Sequence, residues 1–252
     1  MLRRLLSWLP GSDSDDPIDP EERAERIQEV GRNPLQYGHD ATEEVRAALS
    51  DESPLVRATA AEVLGSAEVY HEVVTADPLV ERLDDPDQRV RLAAAEALTV
   101  TTDATVVGDV LPYAIADDPG VRAAGAVGLY HALSRVTYEF TPAQVEALLD
   151  AFAAAGGDDS ATENDHLARQ YLLSAVARGA APRDLAVLDG DRTRTLVAAL
   201  DDRFIAVSRQ AAALLGQVDR DAARGALRDA REDHSDERVQ AAADEALADD
   251  GR

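Results

Sequence analysis

The 252-residue sequence has no cysteine, few aromatic residues and no long apolar run. Without cysteine, the chain cannot form disulfides, thiolate nucleophiles or cysteine-ligated zinc sites. No window approaches 18 consecutive apolar residues, so we expect no transmembrane helix. Aromatic residues make up 4% of the chain and apolar residues 45%, so the core must consist mainly of alanine, leucine and valine. Because alanine is the strongest helix former, this composition favours an all-α fold.

Lysine is also absent, and all 25 basic residues are arginine, against 49 acidic residues and a net charge of −24. This composition resembles that of cytoplasmic proteins from salt-accumulating halophilic archaea; the alternative is an acidic protein encoded by a GC-rich genome. At about 1 M salt the Debye length is about 3 Å, which screens repulsion between carboxylates. So acidic a surface repels nucleic acid, because phosphate binding requires basic side chains. We therefore predict a cytoplasmic protein that binds no nucleic acid.

One pattern recurs along the chain: a valine, then small or apolar residues three, four and seven positions later, and leucine eight positions later. These offsets lie on one face of a helix. A second apolar stretch precedes most copies, as Leu79 to Leu83 does before Val90, so each unit is predicted to be a helical hairpin. One hairpin cannot bury its own apolar face, and neighbouring hairpins should stack into a solenoid. Five clear copies and one degenerate copy begin at Val56, Val90, Val121, Val207, Val239 and Ala168.

The segments Leu83 to Leu98 and Asp117 to Arg122 contain Asp-Asp-Pro followed by Val-Arg. This arrangement resembles HEAT repeats, particularly the short variety shared with phycobilin-lyase-like proteins, over about residues 40–250. The resemblance implies an all-α fold, an α-α superhelix of about six helical hairpins. It also implies a structural ladder between repeats, made by the turn aspartate and the arginine after the valine. By position the ladder comprises Arg57, Asp85, Arg91, Asp118 and Arg122; Ser208 and Gln240 replace the arginine in the last two copies.

Three parts of the chain depart from the repeat. Residues 1–9 include Leu5, Trp8 and two arginines, and are predicted to form an amphipathic docking segment. Residues 10–19 form an acidic linker, and the solenoid occupies residues 20–252, beginning with a helix that caps the first repeat. An irregular insertion is predicted at about 130–163, within which Thr141-Pro142-x-Gln144 starts a helix that runs to about Ala155.

No catalytic residue, metal site or cofactor site is predicted. The five histidines show no usual metal spacing. The chain has no phosphate-binding glycine motif and no nucleophile elbow. His71 and Glu72 form a pair of the type found in HEAT-like iron hydroxylases, but one pair cannot build a diiron site. The many aspartate pairs are better explained as helix caps and solvated surface than as cation ligands.

Two groups of residues are candidates for partner binding. Tyr130, His131, Tyr138 and Phe140 lie in the segment that interrupts the repeat and include three of the ten aromatic residues. Aromatic residues are enriched at interface hot spots, although these residues could equally fill space created by the insertion. The second group is Leu5 and Trp8, which could dock on a partner, a membrane surface or the solenoid itself.

These features predict a non-catalytic scaffold or adaptor that binds another protein, by analogy with the fold rather than from a reactive site. One alternative is an adaptor held at a membrane surface by residues 1–9. A second alternative, of a different class, is a lyase-like enzyme or a bilin or cofactor handler of the phycobilin-lyase HEAT family.

The net charge of −24 without lysine predicts marked salt dependence of folding. Self-repulsion among carboxylates should destabilise the fold at low ionic strength and be screened at high ionic strength. We expect the Tm to be higher in about 3 M KCl than in about 0.1 M KCl. Equal melting temperatures in the two solutions would contradict the halophile interpretation.

Overall fold

The computed structural model describes residues 19–32, 39–66, 76–100, 102–156, 161–186, 188–219 and 221–249. Within these ranges the chain forms 14 α-helices and no strand, which confirms the predicted all-α class. The helices are α1 (Pro20–Arg32), α2 (His39–Ala48), α3 (Pro54–Ser66), α4 (Asp77–Glu81), α5 (Gln88–Ala97), α6 (Thr105–Ala114), α7 (Pro119–Ala132), α8 (Pro142–Ala154), α9 (Glu163–Gly179), α10 (Pro182–Ala186), α11 (Gly190–Ala198), α12 (Ile205–Leu215), α13 (Asp221–Asp233) and α14 (Glu237–Asp249). The predicted docking segment with Leu5 and Trp8 lies outside the described residues.

The helices form two layers of a solenoid. The second helices of the hairpins, α3, α5, α7, α9, α12 and α14, each pack against the next one along the chain. The first helices, α2, α4, α6, α8, α11 and α13, pack against this layer. Helix α1 packs against α3 and so extends the second-helix layer at its N-terminal end. The predicted solenoid of about six hairpins, preceded by a capping helix, is therefore confirmed.

The repeated apolar pattern forms the core of this solenoid. The repeated valine is at most 1% exposed at Val56, Val90, Val207 and Val239. Four positions later the side chain is alanine in each of these copies, and each alanine is fully buried. Alanine at this position lets the helices approach closely, because little side chain separates their backbones. Val121 is the exception among the clear copies and is only half-buried.

Residues 130–163 contain more regular structure than their sequence pattern suggests. Helix α7 continues to Ala132, and Thr141, the predicted helix start, forms a capping box with Gln144 at the beginning of α8. Helix α8 packs against α9 as the first helix of the fourth hairpin. The connections on either side of α8 are long in sequence, so the insertion adds residues without removing a hairpin.

In five of the six second helices a side chain bonds to the turn of its own hairpin, whereas Arg169 of α9 donates to the Phe152 carbonyl of α8. Arg57, one position after the repeated valine, donates to the carbonyl oxygens of Asp51 and Glu52, six and five positions earlier. Arg91 and Arg122 bond in the same way to the carbonyls six and five positions before them. Ser208 and Gln240 keep the bond to the carbonyl six positions earlier. These five turns therefore share one bond to the second helix, which we call the carbonyl tether and which arginine, serine or glutamine provides.

The arginines also connect neighbouring hairpins through carboxylates. Arg57 donates through two nitrogens to the two carboxylate oxygens of Asp85, both at 2.8 Å. This is the bidentate geometry that makes arginine–carboxylate pairs strong and specific. The complete set of arginine–aspartate rungs among the described residues is Arg23–Asp51 at 2.9 Å, Arg57–Asp85 at 2.8 Å, Arg122–Asp165 at 3.2 Å and Arg169–Asp202 at 2.7 Å.

The implied rung between Arg91 and Asp118 is not formed. Asp118 is instead the N-cap of α7, where its side chain accepts from the Val121 amide. In the first, second and fifth copies, an aspartate lies six residues before the ladder position. These aspartates are Asp51, Asp85 and Asp202. The third copy has Ala116 at this place, so its turn offers no carboxylate to Arg91. Arg91 therefore bonds to carbonyls alone, and its Nε is buried without a hydrogen-bond partner.

At the C-terminal end of the ladder, His234 takes the place of the turn aspartate. Asp202 accepts a hydrogen bond from the amide two residues later, and His234 Nδ1 accepts from the Asp236 amide in the same way, at 3.0 Å. Its Nε2 donates to the Leu200 carbonyl at 3.1 Å, which matches the neutral imidazole with its proton on Nε2. An uncharged ring can replace the turn aspartate at this position, because Ser208 stands where other copies have the arginine that binds this aspartate.

The pair formed by Arg57 and Asp85 is largely removed from solvent, with side chains 10% and 2% exposed. Burial alone would raise the pKa of Asp85, but hydrogen bonds from Arg57 and the Asp87 amide outweigh it and hold this pKa below its usual range. The Asp85 carboxylate also lies where loss of its partner would leave a buried charge, which is the costly case for an ion pair.

We predict that Arg57→Gln destabilises the protein by about 3–5 kcal/mol, the usual cost of removing one partner of a buried pair. Glutamine should keep the carbonyl tether, as Gln240 does. Arg91→Gln is the matched control, because Arg91 has the same tether and no aspartate rung. Its loss should be within about 1 kcal/mol. Urea unfolding at constant high salt measures both, and equal losses would show that the carboxylate rung contributes nothing.

Candidate functional site

Four side chains of α7 and α9 form a cluster on the outward side of the second-helix layer, which we call the aromatic patch: Tyr130, His131, Tyr171 and Arg178. The Tyr130 and Tyr171 rings meet edge to face with centroids 5.2 Å apart, and His131 lies 5.5 Å from Tyr130. The Arg178 guanidinium lies 4.5 Å from the Tyr130 ring centroid and donates to its hydroxyl at 3.1 Å. The three rings are only half-buried, so the patch exposes aromatic surface and an arginine together.

The other two predicted aromatic residues have a different environment. Phe140 is 1% exposed, and its amide donates to the Gly179 carbonyl at 2.7 Å. Tyr138 packs edge to face on Phe140 at 5.5 Å, and its hydroxyl accepts from Gln144 Nε2. This pair joins the loop before α8 to the end of α9, which is the space-filling alternative. The four residues thus form two separate pairs, of which Tyr130 and His131 belong to the exposed patch.

The position of Tyr130 explains why the patch occurs in this copy. Nine residues after the repeated valine, the first and fifth copies have Gly65 and Gly216. A Cβ at Gly65 would lie 2.7 Å from the Ala97 Cα, and one at Gly216 would lie 2.8 Å from the Ala246 Cβ. These glycines therefore permit close contact between successive second helices. Tyr130 occupies the equivalent position, and its bulk is accommodated against Tyr171 instead.

Burial and charges of both signs affect the pKa of His131. Partial burial lowers its pKa, Glu96 on α5 raises it, and Arg178 lowers it, with a net shift below the usual value. Because the folded pKa lies below the unfolded value of about 6.5, the associated stability is complete above about pH 6.5 and is lost as the pH falls through the folded pKa. Near neutral pH the patch therefore presents a neutral imidazole.

Neither Tyr171 nor Arg178 of the aromatic patch was predicted as a site residue, and about half of the ladder was not predicted either. Tyr171 was visible only as a bulky residue where other copies have a small one, and Arg178 had no signal in the repeat pattern. Asp165 pairs with Arg122 across 43 residues from within the capping box of α9. Arg169 follows Ala168 as Arg57 follows Val56, so this position could have been found from the degenerate copy.

The described ranges give little support for a metal site or a catalytic site. They contain no group of three or more histidine, aspartate or glutamate side chains arranged to hold a metal ion. The pKa of Asp236 is lowered to about 2, because its carboxylate accepts hydrogen bonds from the side chain and the amide of Arg238 at an exposed helix start. A groove of about 440 Å³ between α12 and α14 has Arg209, Gln210, Gln217 and Glu245 as its polar lining. These are groups that form hydrogen bonds and ion pairs, and they include no nucleophile paired with a base.

None of the helices in the described ranges is long and apolar enough to cross a lipid bilayer.

Comparison with known proteins agrees with the fold. Residues 14–99 match the family model of HEAT repeats, and no curated protein matches the sequence. An engineered protein is similar with a TM-score of 0.59 and 19% identity, over 83% of this chain and 96% of that chain. The archaeal HEAT-like repeats protein from Thermococcus onnurineus NA1 has a TM-score of 0.54 and 11% identity, over 93% and 97% of the chains. The architecture is therefore that of the HEAT and armadillo-like helical repeat proteins.

A further similar structure is the complex of CpcE and CpcF of phycocyanin lyase from Nostoc sp. PCC7120, with a TM-score of 0.39 and 16% identity, over 96% of this chain and 91% of that chain. At this level of similarity the match does not bear on activity.

We predict that two exposed charges shift the pKa of His131 in opposite directions. Arg178→Gln removes a cation and should raise the pKa, whereas Glu96→Gln removes an anion and should lower it further. NMR titration of the His131 ring measures both variants against the wild type. A pKa that moves the same way in both, or in neither, would show that these charges do not act on His131.

Proposed function

We propose that this protein is a non-catalytic scaffold of the cytoplasm that binds another protein through the second-helix layer. The observation that carries the proposal is the aromatic patch, in which Tyr130 and Tyr171 present half-buried rings beside Arg178. Tyrosine and arginine are the residues most enriched at interface hot spots, because they contribute large contact areas and hydrogen bonds at little cost in conformational entropy.

The rigidity of the patch supports this role. Tyr130 is held by Tyr171, by the Arg178 guanidinium and by its own helix. Side chains that are already ordered lose little entropy on binding, so more of their interaction energy is available as affinity. The solenoid beneath them consists of helices packed directly against one another, which gives the patch a stable base.

The enzyme alternative has less support from the described residues. A lyase or cofactor handler requires a pocket that encloses most of its small ligand. The groove between α12 and α14 is open and lined mainly by alanine, glycine and a few polar side chains. A chromophore or metal that co-purifies with the protein in stoichiometric amount would favour the enzyme over the scaffold.

Affinity capture from the native cell extract at high salt, followed by identification of stoichiometric partners, tests the scaffold. We expect Tyr171→Ala to lose the captured protein, with at least about a tenfold weaker affinity, equivalent to about 1.4 kcal/mol, because it removes a patch anchor. Tyr113→Ala is the matched control, since Tyr113 is also half-buried but lies on α6 in the other layer.

Circular dichroism of both variants establishes that they fold equally well. Retention of the same partner by Tyr171→Ala, or its equal loss in both variants, would remove the patch from the binding surface. If the wild type captures no protein in stoichiometric amount, the scaffold function itself is wrong.

A further inference from the structure

Acidic residues are distributed unevenly over the molecule. The second helices α7, α9 and α12 contain 14, 17 and 11 residues. Of these 42 residues 23 are buried and 19 reach the surface. At the frequency of the whole chain, 49 acidic residues in 252, the 19 surface positions would include about four. They include two, Glu163 and Asp165, and both lie in the first turn of α9. The first helix α13 alone contains four acidic residues in 13 positions.

Beyond the first turn of α9, the exposed and half-buried side chains of these three helices include no carboxylate, and we call this surface the carboxylate-free field. It continues from the aromatic patch along α9 and onto α12. Beyond the patch, α9 contributes Gln170 and Ser174 and α12 contributes Arg209, Gln210 and Ala213, all exposed or half-buried. The residues of α12 line the groove towards α14.

Carboxylates mark both ends of this field. Six residues after the repeated valine, α3 and α5 have the exposed Glu62 and Glu96, and α14 has the exposed Glu245. The equivalent positions in α9 and α12 are Ser174 and Ala213. The same position on the helix is thus acidic in the outer copies and uncharged in the middle ones. In the described residues this change coincides with the exposed aromatic rings on α7 and α9.

The field also contains arginines that lack an acidic partner. In the described part of the chain, most arginines form ion pairs, as Arg23, Arg57 and Arg192 do. Arg178 bonds to the Tyr130 hydroxyl, and neither Arg178 nor Arg209 forms an ion pair with any described residue. Glu245 lines the same groove as Arg209 without pairing with it, so both exposed guanidinium groups are available to an external anion.

We propose that the carboxylate-free field is the docking surface for an extended acidic segment of the partner protein. This inference rests on the protein-binding function proposed above and adds the charge and the form of the bound segment. Carboxylates of the segment would accept hydrogen bonds from Arg178 and Arg209, the side-chain amides of Gln170 and Gln210 would bond to its main chain, and Tyr171 would contact its apolar side chains. Complementary charge of this kind determines specificity and the rate of association.

The size of the field sets the length of the segment. Neighbouring helices lie roughly 8–10 Å apart, so α7, α9 and α12 together span roughly 20 Å, which about six extended residues cover. A nucleic acid fits less well, because its phosphates repeat along the whole strand and would meet Glu96 and Glu245 at the ends of the field. A polypeptide can place its carboxylates opposite the two arginines alone.

Selection from a display library of random peptides about twelve residues long, performed on the full chain at high salt, tests the proposal. We expect enriched peptides to contain an acidic stretch of about six residues with interspersed apolar side chains. The double variant Arg178→Glu and Arg209→Glu should bind the enriched peptides at least about tenfold more weakly in fluorescence anisotropy. Arg228→Glu is the matched control, because Arg228 is exposed on α13 and likewise forms no ion pair with a described residue.

The possible results distinguish failure of the acidic segment from failure of the proposed protein-binding function. Enriched peptides that are basic or neutral but still depend on Tyr171 would overturn the acidic segment and leave the scaffold intact. If no peptide is enriched on the wild type, the acidic segment is wrong, and capture from the cell extract decides the scaffold independently. Tighter binding of a single-stranded oligonucleotide than of the peptides, or self-association that the double variant abolishes, would assign the field to a nucleic acid or to a second copy of this chain.

Discussion

The close approach of successive second helices is the constraint on which the solenoid depends. Each hairpin has more apolar surface than it can bury alone, so it is stable only against its neighbours. The fully buried alanines Ala60, Ala94, Ala211 and Ala243 remove bulk between the helices, and Gly65 and Gly216 allow near contact of backbones. A core built from small side chains gains little area from each residue, and many contacts of modest size must therefore form together.

The ladder follows from this close packing, because it lies where the turns of neighbouring hairpins meet. In five of the six hairpins it includes a bond from the second helix to the carbonyl six residues earlier, made by arginine, serine or glutamine alike. The carboxylate rung is added only where an aspartate is within reach of a guanidinium, as between Arg169 and Asp202. Buried pairs of this kind contribute more to the register of the repeats than to net stability, since their desolvation offsets most of the attraction.

The middle copies depart from the regular repeat in several ways at once. Arg122 pairs with Asp165 inside a helix and not with a turn aspartate, Tyr130 replaces a small residue, and the connections on both sides of α8 are long. The same copies form the surface without carboxylates. These departures weaken the uniform packing of the solenoid and at the same time produce exposed rings and unpaired arginines, a pairing of local irregularity with a candidate site that functional surfaces commonly show.

The sequence by itself determined the helical class, the register of the repeat and its number of hairpins, because burial of one helical face imposes a spacing that can be read along the chain. It also marked the arginine after the repeated valine as a ladder residue, as Arg57 and Arg122 are, whereas the bond of that arginine to the turn carbonyls is a finding of the structure. Tertiary structure alone decided which aspartate reaches which arginine, since Asp165 lies 43 residues from Arg122 and replaces the turn aspartate from inside a helix. It likewise separated Tyr130 from Phe140, ten residues apart in sequence, into an exposed patch and a buried contact. Spacing within a helix is local, whereas these pairings depend on how far one helix is placed from the next, and that distance is set by the packing of every side chain between them.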